Sequence, residues 1–117
     1  MIKDPRHIAV NVLVSWDNSF HNLDKSLENH SKEISFLCKN DRSLCNALIF
    51  GVLRQRESID WILRAFSNTP LEKINIITLY LLRVALFQIL NMDRIPVFAA
   101  INTIVNIAKK LLDKKAA

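Results

Sequence analysis

The segment that decides the fold is NALIFGVLRQRESIDWILRAF, residues 46–66, which holds Gly51, the single glycine of this 117-residue chain. Its apolar residues recur three and four positions apart, which is the period of one face of an α-helix. Glycine inside a helix costs roughly 1 kcal/mol relative to alanine, so Gly51 needs a local reason. On a helical wheel, Ala47, Gly51 and Ser58 form a narrow strip of small side chains. This strip predicts the close approach of another helix backbone.

The opposite side of the segment carries arginines interleaved with aromatic residues: Phe50, Arg54, Glu57, Trp61 and Arg64. Such a pattern is typical of surfaces that hold phosphates and stack bases. It is also typical of aromatic rings packed under a neighbouring helix and covered by arginine stems. Arg56 projects toward the apolar stripe, so it either extends its head to solvent or is paired.

The same period continues along the chain and predicts an all-α protein, a compact five-helix bundle that forms a single domain over residues 1–117. Residues 74–90 (INIITLYLLRVALFQIL) are apolar almost all round, which favours a fourth helix at the centre of the bundle. The segment is short for a membrane span and is interrupted by Asn75, Arg83 and Gln88. Five helices are predicted. The first begins at Pro5 with Asp4 as its N-cap, and the second covers about 20–30; residues 31–40 are predicted to be a connection. The third runs from its N-cap Asn40 to about Phe66, the fourth covers 76–91 after Asn75, and the fifth runs from Pro96 to about Leu112.

Arg83 lies within the apolar fourth helix, and a buried cation needs a partner. We expect an ion pair or a helix-end contact, with Asp93 as the nearest candidate downstream.

The net charge of +5 is unevenly distributed along the chain. Residues 1–60 carry eight basic and eight acidic side chains, whereas residues 61–117 carry eight basic and three acidic ones. A basic half is typical of proteins that bind a polyanion such as RNA, and it is also a common means of remaining soluble. The charge alone leaves both interpretations open.

Cysteine usage and missing motifs narrow the function. Cys38 and Cys45 would lie about 10 Å apart along a helix, too far for a disulfide, and free thiols predict a reducing cytoplasm. One glycine cannot build a phosphate-binding loop, and no histidine or cysteine has metal-ligand spacing. The sequence therefore predicts no catalytic, metal or cofactor site within this chain.

Two stretches, DRSLCNALIFGVLRQRESIDWIL (residues 41–63) and LLRVALFQILNMDRIPVFAAINTIVNIAKKL (residues 81–111), resemble the NusB-like domain. This all-α domain occurs as the transcription antitermination factor NusB. It also occurs as the N-terminal domain of ribosomal RNA cytosine-5 methyltransferases of the Sun/RsmB type. The residues that match the methyltransferase version, D-R…G-V-L-R-x-R…D-W, are Asp41-Arg42, Gly51-Val52-Leu53-Arg54, Arg56 and Asp60-Trp61.

The resemblance implies an RNA-binding accessory domain. The chain looks like the N-terminal domain of a methyltransferase, separated from the rest of that protein. In such a parent protein, S-adenosylmethionine and the methylation of a small-subunit ribosomal RNA cytosine belong to a separate catalytic domain. Cys38 and Cys45 do not match that domain's catalytic cysteines. The implied partners are ribosomal RNA, the protein's own C-terminal methyltransferase domain and a ribosomal protein, with no membrane.

The candidate RNA contacts are basic residues from the first helix, from residues 46–66 and from the last predicted helix: Arg6, Arg54, Arg56, Arg64, Lys109 and Lys110. Two alternatives remain open at this point. One is a protein-interaction module, in which the exposed part of the Phe50–Trp61 stripe is an apolar docking patch. The other is a stand-alone antitermination factor.

Overall fold

The computed structural model of the chain describes residues 4–18, 22–67 and 69–92, together with residue 102. Within these ranges all regular secondary structure is helical, which confirms the all-α class. The chain divides into two compact units, residues 1–50 and 51–117, with the boundary inside one helix. The elements are α1 (Pro5–Asn18), α2 (Leu23–Asn29), α3 (Ser31–Ser35), α4 (Lys39–Arg54), α5 (Arg56–Phe66), a 3₁₀-helix (Leu71–Lys73) and α6 (Ile76–Asn91).

The predicted count of five helices is therefore too low, because the described residues alone hold six α-helices. The last predicted helix, from Pro96 to about Leu112, lies outside the described residues except for Asn102, whose backbone is helical.

In the first unit, α1 packs against α2 and α3. Asp4 caps α1 as predicted, because its Oδ1 accepts a hydrogen bond from the Arg6 backbone N–H at 2.9 Å. The inward face of α1 is fully buried and consists of Ile8, Ala9, Val10, Val12 and Leu13. The helical period predicts Ile8, Ala9, Val12 and Leu13 on this face; it also predicts Trp16, which is half-buried, and it does not predict Val10.

The short helix α3 was not predicted, since residues 31–40 read as a connection. The backbone carbonyl of His30, the residue that ends α2, accepts a hydrogen bond from the Ile34 N–H at 3.1 Å. Helical hydrogen bonding therefore restarts directly after α2. Its five residues bury no side chain, so an apolar period could not reveal them.

Gln55 divides the predicted third helix into α4 and α5. Its φ and ψ of −105° and 17° are not helical. Its side-chain amide donates to Asn91 Oδ1 at 3.1 Å, and Asn91 Nδ2 donates back to Gln55 Oε1 at 3.0 Å. The prediction of one continuous helix was wrong because it could not include this contact with the end of α6. Asn40 is not the N-cap either, since α4 already begins at Lys39.

Gly51 is buried, and a Cβ atom at its position would overlap the ring of Phe87 in α6. The predicted close approach at Gly51 is therefore confirmed, but the group that approaches is a ring and not a helix backbone. Ala47 and Ser58 are exposed, so the predicted strip of small residues is not a packing seam.

Helix α6 packs against α5 in the second unit and follows its predicted bounds. Asn75 caps it by accepting a hydrogen bond from the Ile77 N–H at 2.9 Å. Its Leu82, Ile89 and Leu90 side chains stay between 37% and 47% exposed, so this helix is not covered on every side. Its predicted place at the centre of a bundle stays a prediction.

Both cysteines are free, as the sequence predicts: Cys38 is exposed and Cys45 is buried. Across the described ranges, no helix has the length and apolarity that crossing a bilayer requires.

Candidate nucleic-acid interface

Helix α5 carries the candidate site, and its charged residues recur at a spacing of four. Arg56, Asp60 and Arg64 are each four residues apart, so they lie along one face over about 12 Å of helical rise. Glu57 and Trp61 form the adjacent row, while Ile59 points into the core and is fully buried. The helix is held in place by its packing against α6 and the 3₁₀-helix.

A cleft of about 530 Å³ follows this face of α5. It combines two guanidinium groups, two carboxylates, an indole ring and an apolar side chain. Such a mixture of cations and an aromatic face can hold phosphates and stack bases. The residues that line the cleft are Leu53, Arg56, Glu57, Asp60, Trp61 and Arg64.

Trp61 is the most accessible large apolar side chain among the described residues, at 73% exposure. The alternative in which Trp61 packs beneath a neighbouring helix is therefore wrong. Its ring also borders a second depression of about 320 Å³, together with Glu57, Ser58 and Ile62. Because the Trp61 ring is not part of the core, a ligand can stack on it without disturbing core packing.

Arg64 lies at the far end of the cleft and contacts Glu72 of the 3₁₀-helix, with Nη2 3.3 Å from Oε1. The Arg64 and Glu72 side chains are 57% and 72% exposed. A hydrogen bond from its own backbone N–H and a second one from Arg64 lower the pKa of Glu72. Exposed ion pairs of this kind are weak, so a phosphate can replace Glu72 as the partner of Arg64.

Asp60 forms the floor of the cleft through a buried ion pair. Arg83 of α6 donates from Nε to Asp60 Oδ1 at 2.8 Å and from Nη2 to Oδ2 at 2.9 Å. The Arg83 guanidinium carbon also lies 4.8 Å from the centroid of the Tyr80 ring. The expected ion pair of Arg83 is confirmed, but the partner is Asp60; Asp93 lies outside the described residues.

The structure brings together two of the six predicted RNA contacts, Arg56 and Arg64. Arg56 is half-buried at the start of α5 and lines the cleft. Arg54 is exposed on the last turn of α4 and does not line it. Arg6 is half-buried on α1 in the first unit. Lys109 and Lys110 lie outside the described residues, so their role stays a prediction.

Sequence reasoning missed Asp60 as a lining residue and as the partner of Arg83. One feature of the sequence could have identified Asp60. It directly follows a core residue, Ile59, and so lies at the edge of the apolar stripe. A carboxylate and a guanidinium that both fall on core-facing positions must find partners. Among the described residues, no three histidine, cysteine or acidic side chains are grouped as metal ligands.

The helical architecture and this exposed cleft define an all-α domain with a candidate binding surface. The chain belongs to the NusB family, whose profile matches residues 3–117. Relatives of two kinds are similar to it. One is the probable ribosomal RNA small subunit methyltransferase B of Bacillus subtilis, 32% identical over 89% of this chain and 23% of the relative. The other is the transcription antitermination protein NusB of Teredinibacter turnerae, 32% identical over 90% of this chain and 71% of the relative.

A second probable methyltransferase B, from Synechocystis, is 29% identical over 74% of this chain and 18% of its own length. The chain thus spans about a fifth of the two methyltransferases that it matches. It also superposes on a chain of a crystal structure of the antitermination factors NusB and NusE in complex with double-stranded RNA. The TM-score is 0.83 at 21% identity, with 97% of this chain and 84% of the other covered, so the two share a fold.

Proposed function

We propose that this chain is an RNA-binding domain, non-catalytic by itself, that serves a small-subunit ribosomal RNA cytosine-5 methyltransferase. The observation that carries the proposal is that Arg56, Trp61 and Arg64 line one exposed cleft. Guanidinium groups hold phosphates and an exposed indole stacks on any unpaired base. The solved relative in complex with RNA and NusE supports RNA and a ribosomal protein as partner classes.

The methyltransferase assignment is the finer part of the proposal. It is supported by the D-R…G-V-L-R-x-R…D-W residues of the sequence and by the methyltransferase relatives. In this assignment, S-adenosylmethionine and the methyl transfer belong to a catalytic domain outside this chain, in the cytoplasm. The present domain would bind or position the ribosomal RNA for that domain.

A stand-alone antitermination factor is the second candidate. The Teredinibacter turnerae antitermination protein is as similar to this chain as the Bacillus subtilis methyltransferase, at 32% identity each. Calorimetry with purified NusE separates the two candidates. Binding to NusE would favour the antitermination role, whereas binding to a methyltransferase catalytic domain and not to NusE would favour the methyltransferase role.

RNA binding itself is tested by titrating a labelled single-stranded ribosomal RNA fragment at two salt concentrations, about 50 and about 200 mM. Two or three phosphate contacts predict an affinity that falls roughly tenfold over this range. Salt-independent binding, or no binding at the lower salt, would contradict the proposal.

Matched variants of the cleft separate its components. Arg64→Lys keeps the charge but loses the planar fork, so we expect it to bind RNA better than Arg64→Ala and less well than the parent chain. Trp61→Phe keeps an aromatic face, whereas Trp61→Leu keeps only an apolar surface. Stacking predicts that Trp61→Leu weakens RNA binding by roughly fivefold or more and that Trp61→Phe largely retains it. Equal binding by the phenylalanine and leucine variants would favour a protein-docking patch.

A further inference from the structure

The cleft on α5 has an ordered charge pattern in which two guanidinium groups are matched by two carboxylates. Arg56 and Arg64 stand at its two ends, separated by about 12 Å along the helix axis, and Asp60 stands midway between them. Glu57 adds a second carboxylate to the middle of the cleft, beside Trp61. A phosphate is therefore favoured beside Arg56, or beside Arg64 in place of Glu72, and is disfavoured beside the exposed Glu57 carboxylate.

The Asp60 carboxylate retains the capacity to accept further hydrogen bonds. Each of its oxygens accepts one hydrogen bond from Arg83, at 2.8 and 2.9 Å. A carboxylate has about four acceptor positions and no donor, so roughly two positions remain. The side chain is 11% exposed and lines the cleft. The remaining acceptor capacity can only satisfy a ligand group that donates hydrogen bonds.

Arg83 acts on this arrangement as a positioning residue. Its buried fork fixes both oxygens of Asp60 and therefore the direction in which the carboxylate faces the cleft. The Tyr80 ring beneath the guanidinium restricts Arg83 in turn.

We propose, building on the RNA-binding function above, that the cleft selects one unpaired pyrimidine with an exocyclic amino group, cytosine over uracil. The ring stacks on Trp61, the flanking phosphates contact Arg56 and Arg64, and the amino group donates to Asp60. Cytosine offers the N4 amino donor at the position where uracil offers the O4 acceptor. An acceptor-only carboxylate favours the first and repels the second.

The test uses the unmodified chain and three labelled single-stranded hexanucleotides: oligocytidine, oligouridine and the hexamer of pyrimidin-2-one riboside. The last has a ring of the same size but no amino group. We expect oligocytidine to bind roughly tenfold tighter than either of the others, which is the factor that a hydrogen bond to a charged group of about 1.4 kcal/mol provides. Equal salt-sensitive binding of all three would overturn the base selection and leave RNA binding intact. No binding of any hexamer at low salt would overturn both proposals.

Two variants locate the acceptor. Glu57→Gln removes the exposed carboxylate of the cleft, and we expect the preference for oligocytidine to persist; its loss would assign the acceptor to Glu57 and overturn the role of Asp60. Arg83→Lys retains a buried cation but not the fork. In that variant, once urea unfolding verifies that it is folded, we expect the preference to fall, because oligocytidine affinity decreases and oligouridine affinity does not. An unaltered preference in the folded variant would contradict the positioning role.

Discussion

Arg83 and Asp60 form a two-pronged ion pair that joins α6 to α5 beneath the candidate interface. The donor-to-acceptor distances are 2.8 and 2.9 Å, and the side chains are only 5% and 11% exposed. The pair therefore belongs both to the core of the second unit and to the floor of the cleft. The helix that carries the cleft is fixed by the same contact that orients its central carboxylate.

Removing one partner of this pair is expected to be strongly destabilising. Asp60→Ala leaves the Arg83 guanidinium buried without its counter-ion, and such a change costs about 3–5 kcal/mol of the free energy of unfolding. Urea denaturation followed by circular dichroism measures this loss. A loss below roughly 1 kcal/mol would indicate that Arg83 reaches solvent when Asp60 is absent.

The control for this prediction replaces both partners together. Asp60→Leu combined with Arg83→Met removes the unpaired charge, so the double variant should be more stable than Asp60→Ala alone. The exposed pair of Arg64 with Glu72 offers the opposite comparison. We expect Glu72→Gln to leave the unfolding transition unchanged, because both side chains remain hydrated in the folded chain.

Gly51 provides a second prediction. Gly51→Ala would raise helix propensity, but its new methyl group overlaps the Phe87 ring. The overpacking should outweigh the gain and cost about 1–3 kcal/mol of the free energy of unfolding. Thermal unfolding of Gly51→Ala, with Ser58→Ala as an exposed control in the neighbouring helix, measures the difference.

The Gly51 effect depends on one neighbour, so a second substitution tests its cause. In a Phe87→Leu background the ring is gone, and Gly51→Ala should be less destabilising than in the parent chain. An equal loss in both backgrounds would show that the Phe87 ring is not the group that requires glycine.

Local rules were sufficient for several parts of the fold, although they failed at the Asn40 cap and at α3. The caps at Asp4 and Asn75 and the bounds of α6 could be predicted because the cap residues act within one helical turn. The fully buried Cys45, Leu48, Ile49, Val52 and Ile59 also follow from the period of the sequence alone.

Two further features that sequence reasoning missed involve contacts between distant residues. The interruption at Gln55 coincides with an amide pair to Asn91, 36 residues later in the chain. Arg83 pairs with Asp60, which precedes it by 23 residues, although Asp93 is nearer in sequence. The cleft was predicted only in part. The sequence places Glu57, Trp61 and Arg64 on one side of a helix, but it does not reveal that Asp60 lines the cleft, because that position depends on its pairing with Arg83.

The cap of α6 supports a third prediction. Asn75 Oδ1 accepts the Ile77 N–H at 2.9 Å, and Asn75→Ala should cost about 0.5–2 kcal/mol of the free energy of unfolding. Asn75→Asp restores an acceptor and should recover most of the loss. Urea denaturation of the three chains checks this order, and equal stability of the alanine and asparagine chains would contradict the capping role.

The two thiols should differ in reactivity. Cys38 is exposed. It should react with a thiol reagent in the folded chain at about pH 8, which is close to the pKa of an ordinary thiol. Burial raises the pKa of Cys45 from 9.0 to about 11, and the same burial blocks access to its sulfur. Titration with a disulfide reagent should therefore detect one thiol in the folded chain and both in denaturant. Rapid reaction of both thiols without denaturant would contradict the buried position of Cys45.

The raised pKa of Cys45 also predicts a dependence of stability on pH. Between pH 9.0 and about 11 the unfolded chain loses the Cys45 proton while the folded chain retains it, so the unfolded state binds fewer protons. Stability that is fully present below pH 9.0 is therefore lost as the pH rises toward 11. Other groups also titrate in this range, so the comparison is with Cys45→Ala, which should show a shallower decline in the free energy of unfolding. Parallel declines in the two chains would show that the Cys45 thiol does not contribute to the alkaline loss of stability.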